Sequence, residues 1–153
     1  MSTHRVIPLA LVAAAIGFAA AGCGGGSDTT TMHLIEHADT DTLQHVGPAN
    51  EKDSIGDVLG FANPLFDSAN KKQVGTDNGM CIRTAPGKAF ECVWTATLSG
   101  GQLTVEGPFF DAKDSVLAVT GGTGDYDQAR GSMTLHASNA QGTEYDFTYE
   151  IIK

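Results

Sequence analysis

Cysteines, histidines and a scatter of carboxylates and amides are the residues of this chain that could do chemistry, and their spacing sorts them. Cys81 and Cys92 flank a segment whose midpoint is Pro86-Gly87. If that dipeptide is a hairpin turn, the two cysteines lie directly opposite each other. In an exported chain this arrangement reads as a structural disulfide; the alternative is a free, reactive Cys81 with only Arg83 nearby in sequence to depress its pKa. Gly121-Gly122-Thr123-Gly124 lacks the Gly-Lys-Ser/Thr ending that sets a lysine on a phosphate, and two aspartates, Asp125 and Asp127, follow it. It is expected to be a tight connection using glycine's backbone freedom, followed by a helical turn through Tyr126 to Arg130. His33 and His37, with Asp39 and Asp41 after them, would resemble a metal site on a helix. On a strand, His33, His37 and Asp39 share the face of Ile35 opposite Leu34, a solvated strand end, so no metal site is expected. His136 sits among Ser and Thr on a polar face. No Ser-His-Asp order, HExxH or CxxC is present, so motif chemistry alone names neither an enzyme nor a cofactor.

Two groups of residues converge on a pocket. Leu59, Phe61 and Asn63 share one face of a strand, with Asn63 suited to fixing a ligand oxygen directly or through water. Phe90 and Trp94 share the face of Cys92, and Phe109 follows Gly107-Pro108 at a strand end. The competing reading is that these aromatics simply fill a small core.

The elements that must position these residues are strands. Tyr145, Phe147, Tyr149 and Ile151 alternate with Glu144, Asp146, Thr148 and Glu150, so a one-residue slip in register would bury carboxylates. Met133, Leu135 and Ala137 alternate in the segment before, and Asn139 to Gly142 supplies the turn. Phe90 to Leu98 and Leu103 to Gly107 form another hairpin around Ser99-Gly100-Gly101. Runs at 32–36, 55–65, 72–84 and 115–120 bring the number of strands to about eight, and no helical repeat is sustained over three turns. The expected fold is all-β, an eight-stranded antiparallel up-and-down β-barrel, because closure removes exposed edges; a sandwich is the alternative.

The N-terminal end is read separately. Arg5 followed by the apolar run 6–21 reads as an export signal over residues 1–22, too short to span a bilayer as a retained helix. Ala20, Ala21 and Gly22 lead into Cys23 as a lipobox does, so lipidation at Cys23 is expected, with plain secretion as the alternative. The glycine-rich stretch completing residues 23–31 reads as a flexible tether, with the barrel domain over 32–153. The chain is acidic, −9 over all 153 residues. Losing Arg5 with the signal makes the mature chain more so, which argues against nucleic acid or anionic lipid as partners and leaves the lipid anchor as the membrane contact.

The order of short motifs is itself informative. Gly56-Asp57-Val58-Leu59, Asn63, Val74-Gly75, Gly79-Met80-Cys81, Phe90-Glu91, the run from Gly101 to Phe109, Leu117 to Gly124, and Ala129-Arg130-Gly131 together resemble the allene oxide cyclase and dirigent barrel superfamily over residues 55–152. The interval from Asn63 to Cys81 is similar to that of the cyclases, and Ala129-Arg130-Gly131 to that of dirigent proteins. The resemblance implies an eight-stranded barrel with an apolar cavity, assembling as a homo-oligomer, trimer or dimer. It also implies that the cyclases fold a fatty-acid epoxide inside this cavity, where an asparagine and a proline hold a water on the epoxide oxygen. Asn63 then falls on a water-holding asparagine and Cys81 on a pocket cysteine. Leu59, Phe61, Phe90 and Phe109 fall on wall positions, and Glu36 is the one acid matching the catalytic glutamate of the first strand. Ala38 stands where that strand's asparagine is expected. A Cys81–Cys92 disulfide would occupy the sulfur that the cyclases leave free.

The sequence thus leads to an exported barrel that binds a hydrophobic small molecule, resident in the cell envelope. Three activities compete: an isomerase or cyclase, a dirigent-like auxiliary that steers coupling, and a lipocalin-like carrier without chemistry.

Overall fold

Alternating apolar and polar side chains make extended backbone the only local geometry that segregates the two faces, and the chain adopts it almost throughout. The computed structural model describes residues 28–152. The export segment 1–22, Cys23 and the glycine run of the tether lie outside the described residues. The strands are β1 (Thr29–His37), β2 (Thr42–Gln44), β3 (Val58–Asp67), β4 (Gln73–Ala85), β5 (Ala89–Leu98), β6 (Gly101–Phe110), β7 (Ser115–Gly124), β8 (Arg130–Ala137) and β9 (Glu144–Ile152). No helix occurs among the described residues.

From β3 to β9 each strand pairs antiparallel with the next, and β1 pairs with both β9 and β3, closing an eight-stranded barrel. Closure is asymmetric. β1 runs beside β9 over nine residue pairs from Thr29↔Ile152 to His37↔Glu144, but beside β3 over only Leu34↔Asp67, Ile35↔Phe66 and Glu36↔Leu65. The chain then kinks, and the short β2 resumes pairing along β3 from Thr42↔Gly60 to Gln44↔Val58. Inward positions carry Leu65, Leu103, Val105, Leu117, Met133, Phe147, Tyr149 and Ile151, all essentially inaccessible. Each such side chain contributes roughly 1.5–3 kcal/mol by burial.

The structure corrects four local expectations. Strand β1 begins at Thr29 rather than Met32, because the last residues of β9 offer Thr29–Thr31 a ladder, so the tether ends three residues earlier. Strand β3 begins at Val58, since Gly56 turns at φ 93° and leaves Ile55 exposed. Gly121–Gly124 is the end of β7 rather than a connection, and its glycines serve close approach: a Cβ on Gly122 would collide with the carbonyls of Tyr126 and Gln102. The segment after it is a turn through Gln128, which takes φ 61°, not a turn of helix.

The β4–β5 hairpin places Cys81 opposite Cys92, and the two form a disulfide. Two residues away, Gly79 faces Trp94 so closely that a Cβ would overlap the tryptophan's own Cβ, which lets the indole lie across the barrel interior. Replacing both cysteines by alanine is expected to cost about 3 kcal/mol, as closing a short loop does in the unfolded chain. Denaturant unfolding with and without reductant measures this: reductant should shift the midpoint of the wild type and leave the double variant unmoved.

Candidate active site

Glu36, Asn63 and Asp77 come from three adjacent strands, β1, β3 and β4, and lie in a row across the barrel wall. Glu36 pairs with Leu65, two residues from Asn63 on the same face, and Asn63 pairs directly with Asp77. All three are buried. Asn63 Nδ2 donates to Glu36 Oε1 at 2.6 Å and to Asp41 Oδ1 at 2.8 Å. Its Oδ1 accepts from both the backbone N–H and the hydroxyl of Thr40, each at 2.9 Å. Asp77 is fully inaccessible, and neither of its oxygens has a hydrogen-bond partner of ordinary geometry. Beyond it, the Tyr149 hydroxyl and Trp94 Nε1–H face each other, buried, without forming a well-shaped hydrogen bond.

These groups border a cavity of about 40 Å3 lined by Glu36, Asp41, Asp77, Leu59, Phe61, the Cys81–Cys92 disulfide, Trp94, Phe109, Leu135, Tyr145 and Phe147. Trp94 meets Phe61 edge-on, with ring centroids 6.0 Å apart, and lies 5.7 Å from Phe147. Phe109, Leu135 and Tyr145 also line an open trough of about 490 Å3 formed with residues 110–114 and 136–142 at the barrel mouth. The cavity and the trough thus share Phe109, Leu135 and Tyr145 as a common wall.

Burial holds the Glu36 carboxyl well above the usual carboxylate range, the Asn63 hydrogen bond opposing it and the charges of Asp41 and Asp39 adding to it. Burial likewise raises Asp77, with the charge of Glu36 as its next cause. Two carboxyls this close in an apolar wall cannot both ionise cheaply, so they titrate as a unit and keep a proton near neutrality. Burial, with the charges of Glu36, Asp41 and Asp111 adding to it, pushes the Tyr145 hydroxyl up to about 12. No lysine, arginine or histidine lines the cavity.

The surrounding loops are fastened by ion pairs. The Arg83 guanidinium lies 3.5 Å from the Phe90 ring centroid, with Nε 2.7 Å from Asp53 Oδ1 and one terminal nitrogen 2.7 Å from Asp111 Oδ1. Asp57, fully buried, accepts from Val46 N–H, Ser54 N–H and His45 Nδ1, each at 2.9 Å. Desolvation would raise its carboxyl, but these donors outweigh it and hold it down at about 2. His45 has the Asp57 carboxylate on one ring nitrogen and the Pro48 carbonyl on the other, and is raised chiefly by the Asp57 hydrogen bond. Ser54 donates to Glu51 instead, so this cluster is a loop anchor and not a nucleophilic relay.

Residues 29–142 match the allene oxide cyclase family. The chain belongs to that family. It is also similar to a pyocyanin demethylase, 26% identical over 78% of this chain and all of that one, with a TM-score of 0.64. A pterocarpan synthase dirigent protein is 19% identical, covering 82% of this chain and 94% of that one at a TM-score of 0.67. An exo-specific intermolecular Diels-Alderase is 13% identical over 84% of this chain and all of that one, also at 0.67. The last two likenesses are of fold.

Within this allene oxide cyclase family member, Leu59, Phe61, Cys81, Trp94 and Phe109 line the cavity as wall residues. Phe90 does not; it packs outside the cavity, between the Arg83 guanidinium and Phe109, whose ring is 6.3 Å away. The role implied for Asn63, holding a water, meets a different geometry: both its donors go to carboxyls and both acceptor sites to Thr40. It positions Glu36. His33 meets the Thr148 hydroxyl, His37 stacks on Phe66 and bonds Asn70, and exposed His136 bonds Asp114. Sequence reasoning missed Asp77, Asp41, Leu135, Tyr145 and Phe147. The available signal for Asp77 was its phase, four residues before the inward Cys81 on the same strand.

Because the folded state retains protons that the unfolded carboxyls release, unfolding releases protons, and stability falls as pH rises above about 4 until the pair has ionised in the fold. Asp77→Asn removes the buried charge. Urea unfolding across a pH series should show the variant gaining on the order of 2 kcal/mol over the wild type at pH 8 and nothing near pH 3.

Proposed function

We propose that this barrel is an isomerase or cyclase acting on a compact, unsaturated small molecule, with Glu36 as its proton donor. The observation that carries this reading is a buried carboxyl pair, Glu36 with Asp77, that retains a proton between them, with Glu36 held by Asn63 at the edge of a largely apolar, aromatic-rich cavity. The proton passes from Glu36 to a basic atom of the substrate, such as an epoxide or carbonyl oxygen or a polyene carbon. Cationic character then develops among aromatic faces and carboxylates, which stabilise it. A proton returns to the carboxyl pair as product forms, so the cycle closes without net oxidation. The family match supports a small-molecule substrate, as does the likeness to a protein named for demethylating pyocyanin. Storage of a large hydrophobic ligand fits less well, since enclosed ligand sites run to roughly 300–1,000 Å3 and this cavity is about 40 Å3. A substrate would lie along the trough and present one end to Glu36.

The test is turnover of a panel of epoxides and polyenes by the purified protein. Glu36→Gln is expected to lower kcat by about 10²–10⁴ with binding largely kept, and Asn63→Ala to lower it less. Recovery of every ligand unchanged from the wild type would favour a carrier. Altered stereochemistry only in the presence of a separate oxidase would favour a dirigent-like auxiliary.

Export and lipid anchoring through Cys23 form part of the same proposal. They are supported by the apolar run 6–21 and the small residues before Cys23. Intact mass of the protein from its native envelope is expected to show a chain starting at Cys23 with an added diacylglyceryl group; an unmodified N-terminus would indicate plain secretion.

A further inference from the structure

The cavity is chemically lopsided. Three carboxyl side chains line it, Glu36 and Asp77 buried and Asp41 at its exposed rim, with no basic residue among its walls. Glu36 and Asp41 share the Asn63 amide, but Asp77, completely buried, receives no well-shaped N–H or O–H donor other than the carboxyl proton it shares with Glu36. A buried polar group in that condition is costly unless something arrives to pair with it. The walls opposite it, Phe61, Trp94, Phe109, Tyr145 and Phe147, present ring faces and edges, and ring faces attract cations.

We propose that Asp77 is the counter-ion of a cationic ligand group, so that the site selects compact amines or protonatable nitrogen heterocycles and disfavours a carboxylate presented to the cavity. The proposal deepens the reading of this cavity as the working site and rests on it. About 40 Å3 admits an ammonium or a ring N–H edge, while an attached aromatic body would extend toward the trough, which has Phe109, Leu135 and Tyr145 in common with the cavity. A neutral base entering takes the proton of Asp77, forming an ion pair with no exchange with solvent; a ligand already protonated displaces that proton to solvent. In both cases the net charge beside Glu36 is unchanged, so its own protonation is left as it was.

Trp94 is the single tryptophan of the chain and lines the cavity, so its fluorescence reports occupancy. The probes are benzylammonium, benzyl alcohol and benzoate, nearly isosteric and differing in charge, titrated at pH 7. The expected order is benzylammonium tightest, by tenfold or more over benzyl alcohol, with benzoate weakest. In Asp77→Asn the cation is expected to lose at least tenfold in affinity while benzyl alcohol changes less than about twofold. Calorimetry in buffers of different ionisation enthalpy should show close to one proton released per benzylammonium bound. Benzoate binding as well as or better than benzylammonium would overturn the proposal, as would a cation preference that persists in Asp77→Asn. So would the absence of any Trp94 response to all three probes at millimolar concentration. If Asp77→Asn does not fold, the wild-type ranking and the proton release decide the matter alone. Charge preference is read from binding and the role of Glu36 from turnover, so either can fail without the other.

Discussion

The barrel closes at one seam, and the seam depends on the side chain of Asn63. Strand β1 reaches β3 for only three residue pairs, ending at Glu36, before the chain kinks away. At the gap, Thr40 takes over: its hydroxyl accepts from Ala62 N–H at 2.7 Å, and its backbone N–H and hydroxyl donate to Asn63. Beyond it β2 resumes the ladder. The amide that seals the wall at this point is the same one whose other end holds Glu36 and Asp41, so closure of the fold and placement of the acid are one arrangement.

That coupling explains why a small barrel tolerates buried carboxyls. The row from Glu36 to Asp77 opposes folding once it ionises, and the rest of the interior, from Leu65 and Leu103 to Phe147 and Ile151, supplies the apolar burial that offsets it. The disulfide and Gly79 sit on the strands that carry Asp77 and Trp94, fixing the two sides of the cavity against each other. Arg83 ties the end of β4 to Asp53 and Asp111, and the His45–Asp57 pair secures the loop before β3. The mouth is thus framed by charged contacts that give its carboxylates cationic partners, while the carboxyls of the interior have none.

Chemistry in such a site comes from confinement and from where charge is stable. On the proposed reading, a cavity of about 40 Å3 takes one group of a substrate while the rest lies toward the trough. Proton donation there would act in a wall of low polarisability where a developing cation has carboxylates and ring faces to meet it. The fold it shares with a dirigent protein and a Diels-Alderase, at TM-scores of 0.67, is a common frame; the acidic floor belongs to this chain's own side chains.

Local sequence was enough for much of this. Period-two alternation marked the strands from β3 to β9, Pro86-Gly87 set Cys81 against Cys92, and the phase of Leu59, Phe61, Trp94 and Phe109 sent them inward, because side-chain direction in a strand follows from position alone. What needed the tertiary structure were the contacts made across the closure. Thr29–Thr31 looks like polar linker until Glu150–Ile152 offer it a ladder, and Thr42–Gln44, exposed throughout, becomes a strand only beside β3. Asp77, a lone aspartate between Thr76 and Asn78, reads locally as solvated. It becomes a buried carboxyl with no cationic partner because closing the barrel brings Glu36 to Asn63 from 27 residues away, and that meeting is decided by long-range pairing, which no local pattern encodes.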